Sequence, residues 1–143
     1  MFIGESFVGS GANAAHINVV LGPREGPVGA AWASALASPS AGHVPFMVVL
    51  QPGVPVKPVT VFINKAALSG ETHERMTWGP AQAGVARGVQ ERMLDGSLPP
   101  EAADVGNRHA VNPQGRERVF HVLELEDSHD CFDFFHNGIL RKR

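Results

Sequence analysis

His16-Ile17-Asn18-Val19-Val20-Leu21 alternates polar and apolar residues at its start, is rich in β-branched side chains and stops at Gly22-Pro23. A period of two with that composition predicts a half-buried strand, and the glycine–proline pair ends it. Upstream, Phe2, Ile3, Phe7 and Val8 are apolar around Gly4-Glu5-Ser6, a weaker strand pattern that runs into Gly9-Ser10-Gly11. The glycines make a turn, so the two segments are predicted to pair as a hairpin.

Working outward, Pro27 suits the first position of a helix. Val28 to Ala37 is rich in alanine with Trp32 and Leu36 four apart, which predicts a short helix packed on a sheet. Ser38-Pro39-Ser40-Ala41-Gly42 breaks it. Phe46 to Leu50 is a continuous apolar run of the buried-strand type, Pro52 to Pro58 is a proline-rich connection, and Val59 to Ile63 is a further strand. After the polar stretch Ser69 to Arg75, Gly79-Pro80-Ala81-Gln82 opens an amphipathic helix. Its apolar positions Val85, Val89 and Met93 recur every four residues, and Gly96 stops it. From Val105 the character changes: one apolar run, Val119 to Leu125, precedes an acidic stretch and a Phe-rich, basic end. That run has no assigned place in the sheet. The order of elements predicts one α+β domain over residues 1–143, a mainly antiparallel sheet with helices on one face.

Bulk properties narrow the functional classes. Twelve Lys and Arg against fourteen Asp and Glu give a formal charge of -2, so no electrostatic footprint argues for nucleic acid or an anionic membrane. A small, uncharged or mildly anionic partner fits better. One cysteine, Cys131, excludes an internal disulfide framework and suits a reducing compartment. Residues 1–11 carry Glu5, no basic start and no long apolar run, so they match neither a signal peptide nor a membrane anchor. The expected location is the cytoplasm.

Among single residues, His16 begins a strand directly after a Gly-rich turn, where a side chain can face a cleft, and imidazole suits proton transfer near neutral pH. Taken alone, it reads as a hydrogen-bonded histidine at a strand end. Gly9-Ser10-Gly11-Ala12-Asn13-Ala14 has the outline of a dinucleotide fingerprint, but a strand follows it, and the motif needs a helix N-terminus for the pyrophosphate. Lys65, at a strand end, is by default a solvated cation. His121, His129, Cys131 and His136 are metal-capable residue types, yet their spacing matches no recurrent zinc pattern. No metal is therefore assigned. Cys131 has no identifiable activating base.

Ala15-His16-Ile17-Asn18, Gly22-Pro23, Lys57-Pro58 followed by Asn64-Lys65, and Gly79-Pro80-Ala81-Gln82 together resemble the formaldehyde-activating enzyme family in order and spacing. Ile3-Gly4-Glu5, Val8-Gly9 and Ala14 extend the likeness, which runs to about Asp104. The resemblance implies an enzyme of one-carbon metabolism, a dehydrating lyase that condenses formaldehyde with tetrahydromethanopterin. The products are methylene-tetrahydromethanopterin and water. It implies a fold like the second domain of ribosomal protein S5, a ring-shaped homopentamer, and a pterin cleft between neighbouring subunits. Tetrahydromethanopterin is then a carrier co-substrate, with no permanently bound cofactor. By the same resemblance His16 is the proton donor, and Asn18, Met47, Lys65, Ala67 and Gln82 contact the substrate.

Three of those positions depart from the family pattern. Asn18 replaces the usual Asp, which keeps hydrogen bonding without a fixed charge. Met47 replaces Leu, a mild apolar exchange. Ala67 replaces Thr and loses a hydroxyl. The family continues past Asp104 with a hydrophobic strand and an aromatic-bearing helix, whereas Val105-Gly106-Asn107-Arg108-His109 is mostly polar. A non-catalytic relative that binds pterin or a formaldehyde adduct is the alternative function, and a ligand-free ring-forming protein is a third.

Overall fold

A computed structural model of the chain describes residues 1–8, 15–64, 67–98 and 118–123. The predicted hairpin is present. Strand β1 (Phe2–Val8) pairs antiparallel with β2 (Ala15–Pro23), in a register that sets Phe7 opposite His16 and Glu5 opposite Asn18. In β2 the period-two pattern is realised: Ala15, Ile17, Val19 and Leu21 are buried while His16, Asn18 and Val20 are half-buried. One face of this strand therefore builds the core, and the other is left for different work.

Helix α1 (Pro27–Ala37) starts with proline in its first turn, as predicted. Its packing does not follow the Trp32–Leu36 pair, because Val28 and Gly29 are its buried residues and Leu36 is exposed. Close approach explains the change. A Cβ on Gly29 would lie 1.6 Å from the Arg24 carbonyl oxygen, and one on Gly22 would lie 2.6 Å from Val28 Cγ2. By strand alternation Gly22 shares the face of Asn18 and Val20, so α1 docks on that face, at the end away from His16.

The apolar run Phe46 to Leu50 divides between two sheets. β3 (Phe46–Met47) joins the main sheet beside β6 (Val59–Ile63), whereas β4 (Val49–Gln51) forms a small hairpin with β5 (Val54–Pro55). Val48 is the crossover: its N–H donates to the Thr60 carbonyl at 2.9 Å, and its own carbonyl accepts from Val56 N at 3.1 Å. Gly53, at φ 78°, turns the small hairpin inside what reads as a plain connection in the sequence.

The polar stretch before Gly79 is helical. α2 (Gly70–Met76), a π-helical turn over Thr77–Ala81 and α3 (Gln82–Leu94) follow one another without a break. Pro80 has no N–H to donate back along the helix and its ring crowds the preceding turn, so the ladder widens there instead of starting afresh. α3 buries Val85, Ala86 and Val89 against Ile17, Val19, Leu21 and Phe62, with Met93 packed on the same cluster. Gly96, at φ 75°, ends it as expected, and Leu98 folds back to close the core.

Strand β7 (Arg118–Leu123) completes the sheet in the order β1-β2-β7-β6-β3, antiparallel to β2 and parallel to β6. The apolar run without an assigned place is thus a central strand. The class is the expected α+β with a mainly antiparallel sheet. The helices are not confined to one face as expected: the core cluster and α3 lie on one face, and α1 abuts the other through Val28 against Gly22. Among the described residues no helix is long and apolar enough to cross a membrane.

Past the end of α3, the Asp95 carboxylate accepts from Ser97 N at 2.8 Å and pairs with Arg92 at 2.8 Å. Hydrogen bonds from Ser97 are the main cause that holds its pKa below the ordinary value, and Arg92 adds to it. A carboxyl lowered in the folded state stabilises the protein above its unfolded pKa, and that contribution is lost as pH falls through the folded value. Asp95→Asn is therefore expected to be less stable than wild type near neutrality, with the gap closing in acid. Denaturant midpoints at about pH 7 and about pH 2, either side of the carboxylate range, measure this.

Candidate functional site

The face of the sheet opposite α3 can be followed row by row from the strand registers. Glu5 lies opposite Asn18, Asn18 opposite Leu123, and Leu123 beside Ile63. In the neighbouring row Ile3, Val20, His121, Val61 and Met47 stand side by side. His16 and Phe7 form the next row toward the start of β2. Residues directly paired across strands share a face. His16, Asn18 and Met47 are therefore brought onto one face, all three half-buried. Three strand spacings separate β2 from β3, so Asn18 and Met47 are roughly 14 Å or more apart.

His16 is tied to its neighbours. Its Nε2 is 2.7 Å from Glu5 Oε1, an ion pair when the imidazole is protonated. Glu5 stands diagonally across the hairpin from His16, a separation that a long side chain can bridge. The Phe7 ring meets the imidazole edge-on, with centroids 6.0 Å apart and planes at 63°. The His16 side chain keeps 24% of its surface exposed, so it is neither sealed in the core nor freely solvated.

The other substrate-contact candidates sit on different elements. Gln82 opens α3, and its Oε1 accepts from Val49 N at 3.2 Å, which holds the small hairpin to the helix. Ala67 is exposed and approaches Gly42, where a Cβ would lie 2.7 Å from the Ala67 Cβ. Gly42 accordingly adopts φ 77°. Lys65 lies outside the described residues, as do residues 9–14 and His129, Cys131 and His136; His121 is described only through its backbone in β7.

Two contributors carried the family resemblance in the sequence but were given no role there. Asn64 is fully buried at the end of β6, where its Oδ1 accepts from Val44 N at 3.0 Å and its Nδ2 donates to the Gly42 carbonyl at 3.1 Å. With Leu68 N donating to the same carbonyl at 2.9 Å, it anchors both chain segments flanking Ala67. A buried amide with both ends engaged is a strong local constraint. The other is Glu5, whose meeting with His16 depends on a register that the glycine-rich turn does not dictate.

A histidine–carboxylate pair at one end of a half-open face, with apolar positions beyond it, defines an α+β protein with a candidate acid–base site. The family can be given more closely. The sequence model described as formaldehyde-activating enzyme (Fae) matches residues 3–107, and the chain belongs to that family. It is 44% identical over 102 residues to the 5,6,7,8-tetrahydromethanopterin hydro-lyase of Methanosarcina barkeri, a match covering 71% of this chain and 57% of that protein. It is 38% identical over 104 residues to the bifunctional enzyme Fae/Hps of Methanococcoides burtonii, and 39% identical over 102 residues to that of Archaeoglobus fulgidus. Those matches cover 73% and 71% of this chain and 26% of each relative. The chain thus spans a little over half of the first relative and about a quarter of the other two.

Proposed function

We propose that this protein condenses formaldehyde with tetrahydromethanopterin in the cytoplasm, releasing water, and that His16 is the general acid. The observation that carries the reading is the imidazole of His16, paired with a carboxylate on a half-open face, in a chain of the formaldehyde-activating enzyme family. A pterin nitrogen adds to formaldehyde to give a hydroxymethyl amine. Hydroxide is a poor leaving group, so the departing oxygen needs a proton; His16 supplies it, water leaves, and the nitrogen lone pair forms the iminium. A second nitrogen then closes the ring, and its proton returns to the imidazole. A positioned acid contributes roughly 100-fold or more, and holding the two reactants together adds a proximity gain.

Asn18 and Met47 are placed in this reading as contacts for the carrier, with Lys65, Ala67 and Gln82 as the remaining contacts. The span from Asn18 to Met47 far exceeds what formaldehyde alone needs and suits an extended co-substrate. Exposed Ile3 and Phe7, at 64% and 60%, flank the His16 side of the face and support closure of the cleft by a neighbouring copy in a homo-oligomer, a pentamer by family resemblance. The carrier's nitrogens are already nucleophilic, so the chemistry requires neither a metal nor a covalent enzyme intermediate.

The deciding experiment mixes purified protein with formaldehyde and tetrahydromethanopterin and follows methylene-tetrahydromethanopterin formation against the spontaneous reaction. A rate well above background is expected. Background rate together with calorimetric binding of the pterin would instead support a non-catalytic binding protein, a reading motivated by the neutral Asn18 and the missing hydroxyl at Ala67. Background rate without binding rules out both.

A further inference from the structure

We propose that Asn64 is a positioning residue for carrier binding: its buried amide clamps residues 42–44 to the end of β6 and thereby fixes Ala67 relative to Met47. The inference rests on the function proposed above, in which Met47 and Ala67 contact the pterin carrier.

The clamp begins where the backbone ladder stops. β3 and β6 pair Phe46 with Phe62, and that antiparallel register, carried two residues further, sets Val44 opposite Asn64. Val48 N, which donates to the Thr60 carbonyl at 2.9 Å, obeys the same register in backbone form. At Val44 a side chain takes over: Val44 N donates to Asn64 Oδ1 at 3.0 Å. From the other end of the amide, Nδ2 donates to the Gly42 carbonyl at 3.1 Å, and Leu68 N donates to the same oxygen at 2.9 Å. One side chain thus ties the segment entering β3, which carries Met47, to the segment leaving β6, which carries Ala67.

Gly42 completes the fit. Its φ of 77° is one that L side chains rarely adopt, and a Cβ there would lie 2.7 Å from the Ala67 Cβ. Ala67 is exposed against this glycine, so the turn sets its place and the amide sets the turn. The clamp also lies level with the His16–Asn18 part of β2, because Ile63, next to Asn64, stands beside Leu123, and Leu123 is opposite Asn18. Stability alone does not call for an amide here. An apolar residue would fill the position without desolvating polar atoms, whereas hydrogen bonds at both ends of a fully buried amide hold one geometry.

The test measures initial rates with formaldehyde and tetrahydromethanopterin, in the full chain, for Asn64→Ala, Gly42→Ala and Val89→Ala. The last is a core substitution in α3 that controls for lost stability. Asn64→Ala and Gly42→Ala are each expected to raise KM for the pterin roughly 10-fold, the scale of one well-made hydrogen bond. Their kcat should stay within about twofold of wild type, since a binding geometry and not the acid is disturbed. Val89→Ala is expected to lower the melting temperature and leave that KM unchanged. Gly42→Ala alters an exposed position and keeps the amide, so it carries the test if Asn64→Ala does not fold. A wild-type KM in Gly42→Ala or in folded Asn64→Ala overturns the inference, and so does an equal rise in Val89→Ala. Both outcomes leave the proposed reaction standing, because wild-type turnover is untouched by them. A wild type with no rate above background sinks the proposed reaction itself, and the inference falls with it.

Discussion

Phe62→Ala is expected to lower the free energy of unfolding by about 3–5 kcal/mol, the range for removing a large aromatic from a packed core. Phe62 is fully buried near the end of β6 and has the largest side chain of the completely enclosed residues among those described. Its ring stacks on Phe46 at 4.8 Å, and Phe46 in turn meets Trp78 at 4.5 Å. The cavity would therefore open beneath a three-ring column that joins β6, β3 and the π-helical turn. Cost rises where neighbours cannot collapse into the space, and here both flanking strands are fixed by backbone pairing. Against a typical total of about 5–15 kcal/mol, such a loss is large. Denaturant unfolding measures it, and a loss below about 1.5 kcal/mol, the scale of a conservative core exchange, would mean that the site repacks. Trp78 fluorescence should shift toward that of a more hydrated indole as Phe46 loses its partner.

The same column shows what was legible in the sequence. Phe46 and Phe62 lie in two apolar runs read as strands; Val59–Ile63 is the strand expected, whereas only Phe46–Met47 of the first run joins the main sheet. The hairpin, α1 from Pro27, and the Val85–Val89–Met93 stripe of α3 were equally plain, because local periodicity and punctuation carry those signals. Pairing over long distances carries no such signal. Arg118–Leu123 reads as an apolar run from its residues, but nothing local says that it enters between β2 and β6. The division of Phe46 to Leu50 at Val48 was hidden for a related reason, since Val48 bonds forward to Val56 and across to Thr60. α2 escaped because it buries no residue and so has no apolar stripe to read; it is supported on its surface by the Arg75–Glu71 pair and by Ser69 N donating to His73 Nδ1.

For the site, residue type and strand position alone left His16 as a hydrogen-bonded strand-end histidine; the family resemblance pointed to it, and the hairpin register then supplies the carboxylate. The register is the step that sequence patterns leave open. A one-residue slip would move His16 to the core face and Ile17 outward, and the burial of Ile17 fixes the register in the observed sense. Asn18 follows His16 onto the same face for that reason alone. Met47 arrives there through β3, two residues long and easily missed as a separate element.

His16→Ala is the substitution expected to affect activity most, with a loss in kcat of roughly 100-fold or down to the spontaneous rate, whichever is reached first, since that is the least a positioned acid contributes. The floor matters because formaldehyde and the reduced pterin condense without a catalyst, so no variant can fall below that background. On the proposed reading, in which Asn18 and Met47 contact the carrier, KM for the pterin should change less than kcat. The fold should persist: His16 lies outside the core cluster and the Glu5 carboxylate it leaves behind is open to water. Added imidazole, able to diffuse into the space vacated by the side chain, is expected to restore part of the rate to His16→Ala and none to a variant that cannot bind the pterin. A folded His16→Ala protein with wild-type kcat would remove the imidazole from the mechanism and move the search for the acid to another group on the face or on a neighbouring copy.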